Sequence, residues 1–277
     1  MTLRQLIGAW LAALVLATVG VALLFVYAEP ERHPFRNVQI AVIGSSLTRY
    51  AIPPRGGGAS SLLGDGRTHL RFGYGGISED RELEEFERAL DDRVGLVLLE
   101  MSTFIRDMKS DPPNSECAEP LVAARSYLGQ RKQDMAAALL RLRGIAKSQS
   151  DADREPANLN ASQVIDPVKL KAAYPMRLHE PACHAWLADL LDRARRQGTR
   201  VAFFLPPRSR AADRYLPPGQ GRQLEQLAIA VARDLRVPIF APRSPWDNTL
   251  FVDHGHLNFL GRQRFDAELQ DWWKRRK

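Results

Sequence analysis

Two short stretches near opposite ends of this 277-residue chain hold side chains suited to nucleophilic catalysis. The first is Gly44-Ser45-Ser46. A serine hydroxyl becomes a competent nucleophile when a neighbouring base takes its proton, and a sharp turn after a strand can expose that hydroxyl. Glycine at Gly44 would permit such a turn. The second stretch is Asp253-His254-Gly255-His256-Leu257-Asn258. A histidine supplies the base, and an aspartate three residues before it can fix the ring's tautomer and orientation. Ser46, His256 and Asp253 are therefore the candidate nucleophile, base and orienting acid. Plainer readings stand beside this one. A serine after a strand is often only a helix N-cap, and Asn258 could cap the next helix with the histidines incidental. Asp253, His254 and His256 also offer metal ligands, yet no distant acid or histidine completes a known spacing. Pro181 interrupts the segment from His179 to His184, so no helical HExxH forms there, and no metal is expected. A third stretch, Gly73-Tyr74-Gly75-Gly76, could turn backbone N–H groups toward a developing oxyanion, or be an ordinary turn.

Such loops need a rigid scaffold. Val38 to Ile43 is a short β-branched run that reads as a buried strand. Residues 53–66, rich in Pro, Gly and Ser, read as loop. A strand at His69 to Phe72 leads to a helix beginning at Ser78, with Leu83, Phe86 and Leu90 as its apolar stripe. Further strands are expected at Val94 to Leu99, Val201 to Leu205 and Val237 to Phe240. Helices are expected at His184 to Gln197, closed by Gly198, at Gly221 to Leu235 and at Phe259 to Lys274. Strands alternating with helices predict an α/β fold, a parallel sheet covered on both faces with its functional loops at the strands' carboxyl ends. Residues 107–180 read as an insertion, with a helical stretch from Leu121 to Ile145.

Hydrophobic residues make up 45% and charged residues 26%, which suits an ordinary globular core and excludes collagen-like or wholly disordered chains. The net charge of +7 suits an anionic polymer, a membrane surface or nucleic acid, and equally a chain that is merely Arg-rich. Leu6 to Tyr27 carries no charge. At about 1.5 Å per residue it is long enough to cross a hydrocarbon core of about 30 Å. The expected organisation is a transmembrane anchor at 1–28, a linker at 29–37 and an exported domain at 38–277. Export argues against nucleic acid as a partner, and Lys274 to Lys277 reads as a solvated helix end. In an oxidising compartment Cys117 and Cys183 could pair, closing a loop worth about 4 kcal/mol in the chain-entropy view. Two independent buried thiols are the alternative.

Together the three glycine- and serine-bearing loops resemble the SGNH (GDSL-like) hydrolase family. Its first block is Gly-x-Ser after the first strand, and its last is Asp-x-x-His before the final helix. Here these read Ile43-Gly44-Ser45-Ser46 and Asp253-His254-Gly255-His256. The resemblance covers residues 38–277, with 107–180 poorly matched, and implies a three-layer, flavodoxin-like domain. Ser45 stands where many members carry Asp. Ser46-Leu47-Thr48-Arg49-Tyr50, His256-Leu257 and Gly261 look like the membrane-anchored branch that includes the DltD D-alanyl transfer and alginate O-acetylation proteins.

The resemblance implies Ser46 as nucleophile, His256 as base, Asp253 as acid, and an oxyanion hole from the N–H groups of Ser46 and Gly76, with Gly75 the other match. The family's third block offers an Asn. Leu99-Glu100-Met101-Ser102-Thr103 has none, which leaves Ser102 as the substitute. The resemblance further implies a cofactor-free serine acyltransferase or esterase, anchored in the cytoplasmic membrane with its domain in the periplasm or outside the cell. It would act on O-acetyl or D-alanyl groups of a cell-envelope polysaccharide, beside a multi-pass MBOAT-type acyltransferase. The alternative is a catalytically inactive tethered module that binds an envelope polymer or the partner acyltransferase.

Overall fold

The computed structural model describes residues 34–58, 61–75, 78–108, 117, 155–161 and 165–276, together with Gln5, Trp10, 13–16 and 19–20. The chain divides into two compact units, residues 1–32 with 119–148 and residues 33–118 with 149–277. In the first unit the few described residues are helical. The expected anchor and the helical stretch from Leu121 to Ile145 fall largely outside the described residues. Among the described residues no helix is long and apolar enough to cross a membrane.

Among its described residues the second unit carries eight strands: β1 Ile40–Ser45, β2 Arg55–Gly58, β3 Gly66–Tyr74, β4 Leu96–Glu100, β5 Arg106–Asp107, β6 Arg177–Leu178, β7 Arg200–Phe204 and β8 Ile239–Phe240. Six of them form one sheet in the order β2-β3-β1-β4-β7-β8, parallel except for β2, which runs antiparallel to β3. β5 and β6 pair separately as a two-stranded ribbon. The central strands are buried on both faces, which is why they read as unbroken apolar runs rather than as alternation.

Strand periodicity then sorts each side chain to one of two cores. Ala41 and Ile43 of β1 face a core that also holds Leu83, Phe86 and Leu90. Ile40 and Val42 face the opposite core, with Phe265, Leu269 and Trp273. The helices divide the same way. α2 (Glu79–Asp91), α5 (His184–Gln197) and α7 (Gln220–Asp234) contribute to the first core, and α8 (Phe259–Lys274) to the second. The result is a three-layer α/β arrangement. Shorter helices α1 (Ser46–Ala51), α3 (Ser102–Ile105), α4 (Pro167–Ala173) and α6 (Arg210–Asp213) sit in the connections.

Two local expectations need correction. Residues 53–66 are not all loop, because Arg55–Gly58 pairs with β3 as the edge strand β2. Three consecutive glycines carry almost no strand propensity, so this pairing is set by β3 and not by β2's own sequence. Strand β3 itself starts at Gly66 rather than at His69.

The chain order places β1 between β3 and β4, so successive connections leave it toward opposite edges of the sheet. That switch point opens a crevice at the carboxyl ends of β1 and β4. Outside it, Cys117 and Cys183 are joined as a disulfide with Cα atoms 5.2 Å apart, and Cys183 is the residue preceding α5.

Candidate active site

β1 passes directly into α1. Ser45 is the N-cap of that helix and its Oγ accepts the Leu47 N–H at 3.1 Å. The capping role thus belongs to Ser45, and Ser46, the first helical residue, has its hydroxyl free for other work. Ser46 Oγ lies 2.9 Å from His256 Nε2, and His256 Nδ1 lies 2.8 Å from Asp253 Oδ2. With Nδ1–H donating to the carboxylate, Nε2 is the acceptor for the serine proton.

The loop that presents His256 is built on Asp253. Its Oδ1 accepts the N–H groups of Gly255 and His256, both at 2.8 Å, which closes an Asx-type turn. Burial pushes the Asp253 carboxyl up, but the hydrogen bond and charge of His256 and the two backbone N–H groups outweigh it. The group is held well below the usual carboxylate range. Asp253 is therefore an anion throughout the neutral range, as an orienting acid must be. Asn258 comes next, accepts the Gly261 N–H at 2.9 Å and caps α8. Gly261 is needed there for clearance, since a Cβ would lie 2.1 Å from the Leu250 carbonyl oxygen.

The turn that carries Ser46 has a different support. Glu100 ends β4, is fully buried, and receives the N–H and Oγ–H of Ser45, each at 2.9 Å. It also receives Thr48 N–H at 3.2 Å, Thr48 Oγ1–H at 2.5 Å and the Ser102 hydroxyl. Gly44 serves this contact. A Cβ at that position would lie 2.2 Å from Thr48 Oγ1 and 2.5 Å from Glu100 Cβ. Its φ is not positive, so Gly44 supplies room rather than an unusual turn conformation. Its register partner in β3, Gly73, clears the same helix, with a Cβ 2.9 Å from the Arg49 backbone nitrogen.

At the other end of α1 two guanidiniums meet the last carbonyls. Buried Arg71 on β3 donates to Arg49 O at 2.7 Å and Ile52 O at 2.6 Å. Arg262 on α8 donates to Tyr50 O at 2.9 Å and Arg49 O at 3.2 Å. Cations suit the negative end of a helix. The Tyr50 ring rests on the His256 imidazole with centroids 4.4 Å apart.

The structure thus brings Ser46, His256 and Asp253 into one hydrogen-bonded line. Gly76 lies outside the described residues, and Ser46 N–H, at the first position of α1, has no partner within the helix. Ser102 needs correction as a substitute for the missing Asn, because its hydroxyl donates to Glu100 and its proton is committed there. Among the described residues no group of three or more His, Cys, Asp and Glu side chains is placed to hold a metal.

Sequence reasoning missed Glu100, Arg71, Arg262 and Tyr50. For Glu100 a signal existed: a carboxylate closing an apolar strand is out of place unless several donors meet it. A cleft of about 190 Å³ opens over Ser46 and His256, with Arg106, Tyr174, Arg208 and His254 in its walls. Burial holds the His254 imidazole below its ordinary range against the pull of Asp253, which favours a neutral wall.

No protein-family model matches this chain. No curated protein matches it either. Among solved structures it is similar to a GDSL-like lipase from Bacteroides thetaiotaomicron, with TM-score 0.43 and 11% identity over 91% of this chain and 95% of that one. It is also similar to a variant of an acetyl-xylooligosaccharide esterase from Geobacillus stearothermophilus, with TM-score 0.42 and 10% identity over 85% of this chain and 94% of that one.

Proposed function

We propose that this chain is a serine-dependent esterase or O-acyltransferase. One observation carries the reading: the unbroken line from Ser46 Oγ through His256 to Asp253, at 2.9 and 2.8 Å. Ser46 Oγ attacks the carbonyl carbon of an ester while its proton passes to His256 Nε2. The tetrahedral oxyanion rests on backbone N–H groups, for which Ser46 and Gly76 are the candidates. The bond to the leaving alcohol then breaks as His256 returns the proton to that oxygen. An acceptor hydroxyl or water, deprotonated by His256, attacks the acyl-enzyme and frees Ser46. Asp253 stabilises the imidazolium without taking its proton.

The setting belongs to the same proposal. The uncharged run from Leu6 to Tyr27 supports a membrane anchor with the domain outside the cytoplasm. The resemblance to the DltD and alginate O-acetylation branch supports an envelope polymer as the acyl acceptor or donor and an MBOAT-type partner. Cell fractionation with protease accessibility tests the anchor.

For the chemistry, a fluorophosphonate probe should label Ser46 covalently. Ser46→Ala should abolish labelling and lower hydrolysis of 4-nitrophenyl acetate by about a thousandfold or more. Full activity in Ser46→Ala would overturn the proposal. The second reading, an inactive tethered module, is favoured by one observation: Ser102 gives its proton to Glu100, so no side chain of the third block replaces the missing Asn. A folded chain that stays silent toward the probe would support it.

A further inference from the structure

The cleft over Ser46 is lined by two guanidiniums, Arg106 and Arg208, and among the described residues by no carboxylate. A cleft walled by one sign of charge concentrates ligands of the other. The two cations differ in their surroundings. Arg208 is only 6% exposed and firmly held, with Nε 3.2 Å from Asp213 and Nη2 3.0 Å from Glu225. Gly221 makes room for it, since a Cβ there would lie 2.6 Å from Arg208 Nη2. Its charge is balanced, but its Nη1 has no hydrogen-bond partner among the described residues. A buried donor left without a partner is costly.

Arg106 is the complement. It is half-buried on β5, and its Nη1 lies 3.2 Å from the Met176 thioether, a weak acceptor. Among the described residues no carboxylate lies within ion-pair distance of it. The adjacent acid, Asp107, faces Arg177 at 3.4 Å and His179 at 3.5 Å. Both guanidiniums surround Tyr174, where they oppose the rise that burial imposes on its hydroxyl. Among the described residues the cleft therefore holds one guanidinium, Arg106, with no carboxylate against it, and a second, Arg208, whose charge is already paired and whose unpartnered Nη1 is buried beneath the surface.

We propose that Arg106, backed by Arg208, is a carboxylate-recognition subsite, so that the substrate bears a negative charge close to the reacting ester. The proposal rests on the esterase reading for what Ser46 does, but the subsite is a binding claim of its own. A cleft of about 190 Å³ is smaller than the roughly 300–1,000 Å³ of drug-sized pockets. The carboxylate and the ester carbonyl must then lie only a few bonds apart. Two sources share that chemistry: a dicarboxylic hemiester, with the charge on the acyl group, and an O-acylated uronic acid, with the charge on the alcohol.

The test uses the full chain carrying Ser46→Ala, so that nothing turns over, and calorimetric titration with two matched pairs. Monomethyl succinate is set against dimethyl succinate, and methyl glucuronoside against methyl glucoside. At least one anion should bind about tenfold or more tightly than its neutral partner, as a charge-assisted bond predicts. Adding Arg106→Met should collapse the preference to about one, and Arg106→Lys should restore part of it. Preference in the first pair puts the charge on the acyl side, and preference in the second puts it on the alcohol. No preference in either pair overturns the subsite, without needing any Arg106 variant to fold, and so does a preference that survives Arg106→Met. If binding is selective but the unmodified chain is silent toward esters, the esterase reading falls and the subsite stands.

Discussion

The two halves of the Ser46–His256–Asp253 line are held in opposite ways. The acid–base loop holds itself. Asp253 bonds to the N–H groups of Gly255 and His256, two and three residues on, and Val252 N–H closes the loop on His256 O. The nucleophile turn is held by distant residues. Glu100 grips Ser45 and Thr48 from 55 and 52 positions away, and Arg71 and Arg262 grip the far end of α1 from 22 and up to 213 away. A local turn needs only its own backbone, whereas a gripped turn needs the whole sheet assembled beneath it. The His256 imidazole can therefore be positioned by local sequence, but the Ser46 hydroxyl is aimed only by the fold.

This contrast predicts that chemistry and stability separate on one side of the site and not on the other. The largest effect is Asp253→Asn. Its amide oxygen can still take the two backbone N–H groups, while its –NH₂ faces Nδ1 and selects the wrong tautomer. We expect kcat on 4-nitrophenyl acetate to fall by up to about ten-thousandfold, far out of proportion to the modest drop in urea midpoint that losing the carboxylate's charge-assisted bonds brings. Glu100→Ala should lose activity and stability together. It leaves the hydroxyls of Ser45, Thr48 and Ser102 and two N–H groups without their acceptor, around a fully buried side chain. About 3–5 kcal/mol of stability should go, read from urea unfolding. Glu100→Gln keeps an acceptor oxygen and separates positioning from folding: kcat should fall about ten- to a hundredfold with KM little moved. Wild-type kcat in that variant would show that Glu100 does not aim Ser46.

The same contrast explains what can be read from the sequence. Asp253-His254-Gly255-His256 is legible because its acid and base share one turn, so spacing alone carries the geometry. The apolar runs of β1, β4 and β7 are legible because strands buried on both faces cannot hide a polar residue cheaply. Ser46 is legible only as one member of a Gly-Ser-Ser turn, with the division between a capping Ser45 and a Ser46 that meets His256 set by the fold. Gly44 stands out in the sequence for the wrong physical reason. Its function is clearance from Glu100 and Thr48, partners that no local window contains. β2 is invisible because its glycines pair only when β3 offers an edge. Arg71 and Arg262 look like ordinary charges until the carbonyls of α1 are placed beside them.

A second pair of carboxylates sharpens the point about local donors. Glu79 on α2, like Asp253, accepts two backbone N–H groups, those of Ala182 and Cys183 at 3.1 and 2.8 Å. Its pKa nevertheless moves the other way, to about 7, because burial outweighs those bonds and Asp80 and Asp107 add like charge. Asp253 differs in having an imidazole beside it. The signs of the two linkages are therefore opposite. Asp253 contributes stability above the ordinary carboxylate range that is lost as pH falls. Glu79, raised in the native state, contributes stability that is present below about pH 4.5 and lost as pH rises through about 7. Glu79→Gln should flatten the decline between those values by up to about 3 kcal/mol, measured as urea stability against pH. An unchanged slope would show that Glu79 is ionised in the folded chain.

The smallest expected effect concerns a residue that links the two halves. Arg262 lies only a few positions beyond the acid–base loop in sequence, yet its guanidinium lies on the nucleophile helix, at Tyr50 O and Arg49 O. Tyr50 in turn carries the His256 ring. Arg262→Met keeps much of the aliphatic stem and removes the donors, leaving helix-end carbonyls that Arg71 covers only in part. The stability cost should be about 1–2 kcal/mol, in line with lost charge-assisted bonds. A structural tie alone would stop there. A registering tie would also lower kcat by a few fold, because Ser46 sits on α1 and His256 on the loop that leads into α8, and small offsets between reacting groups are costly in rate. If Arg262→Met loses stability while kcat holds, the halves find each other through the sheet and the Tyr50 contact alone.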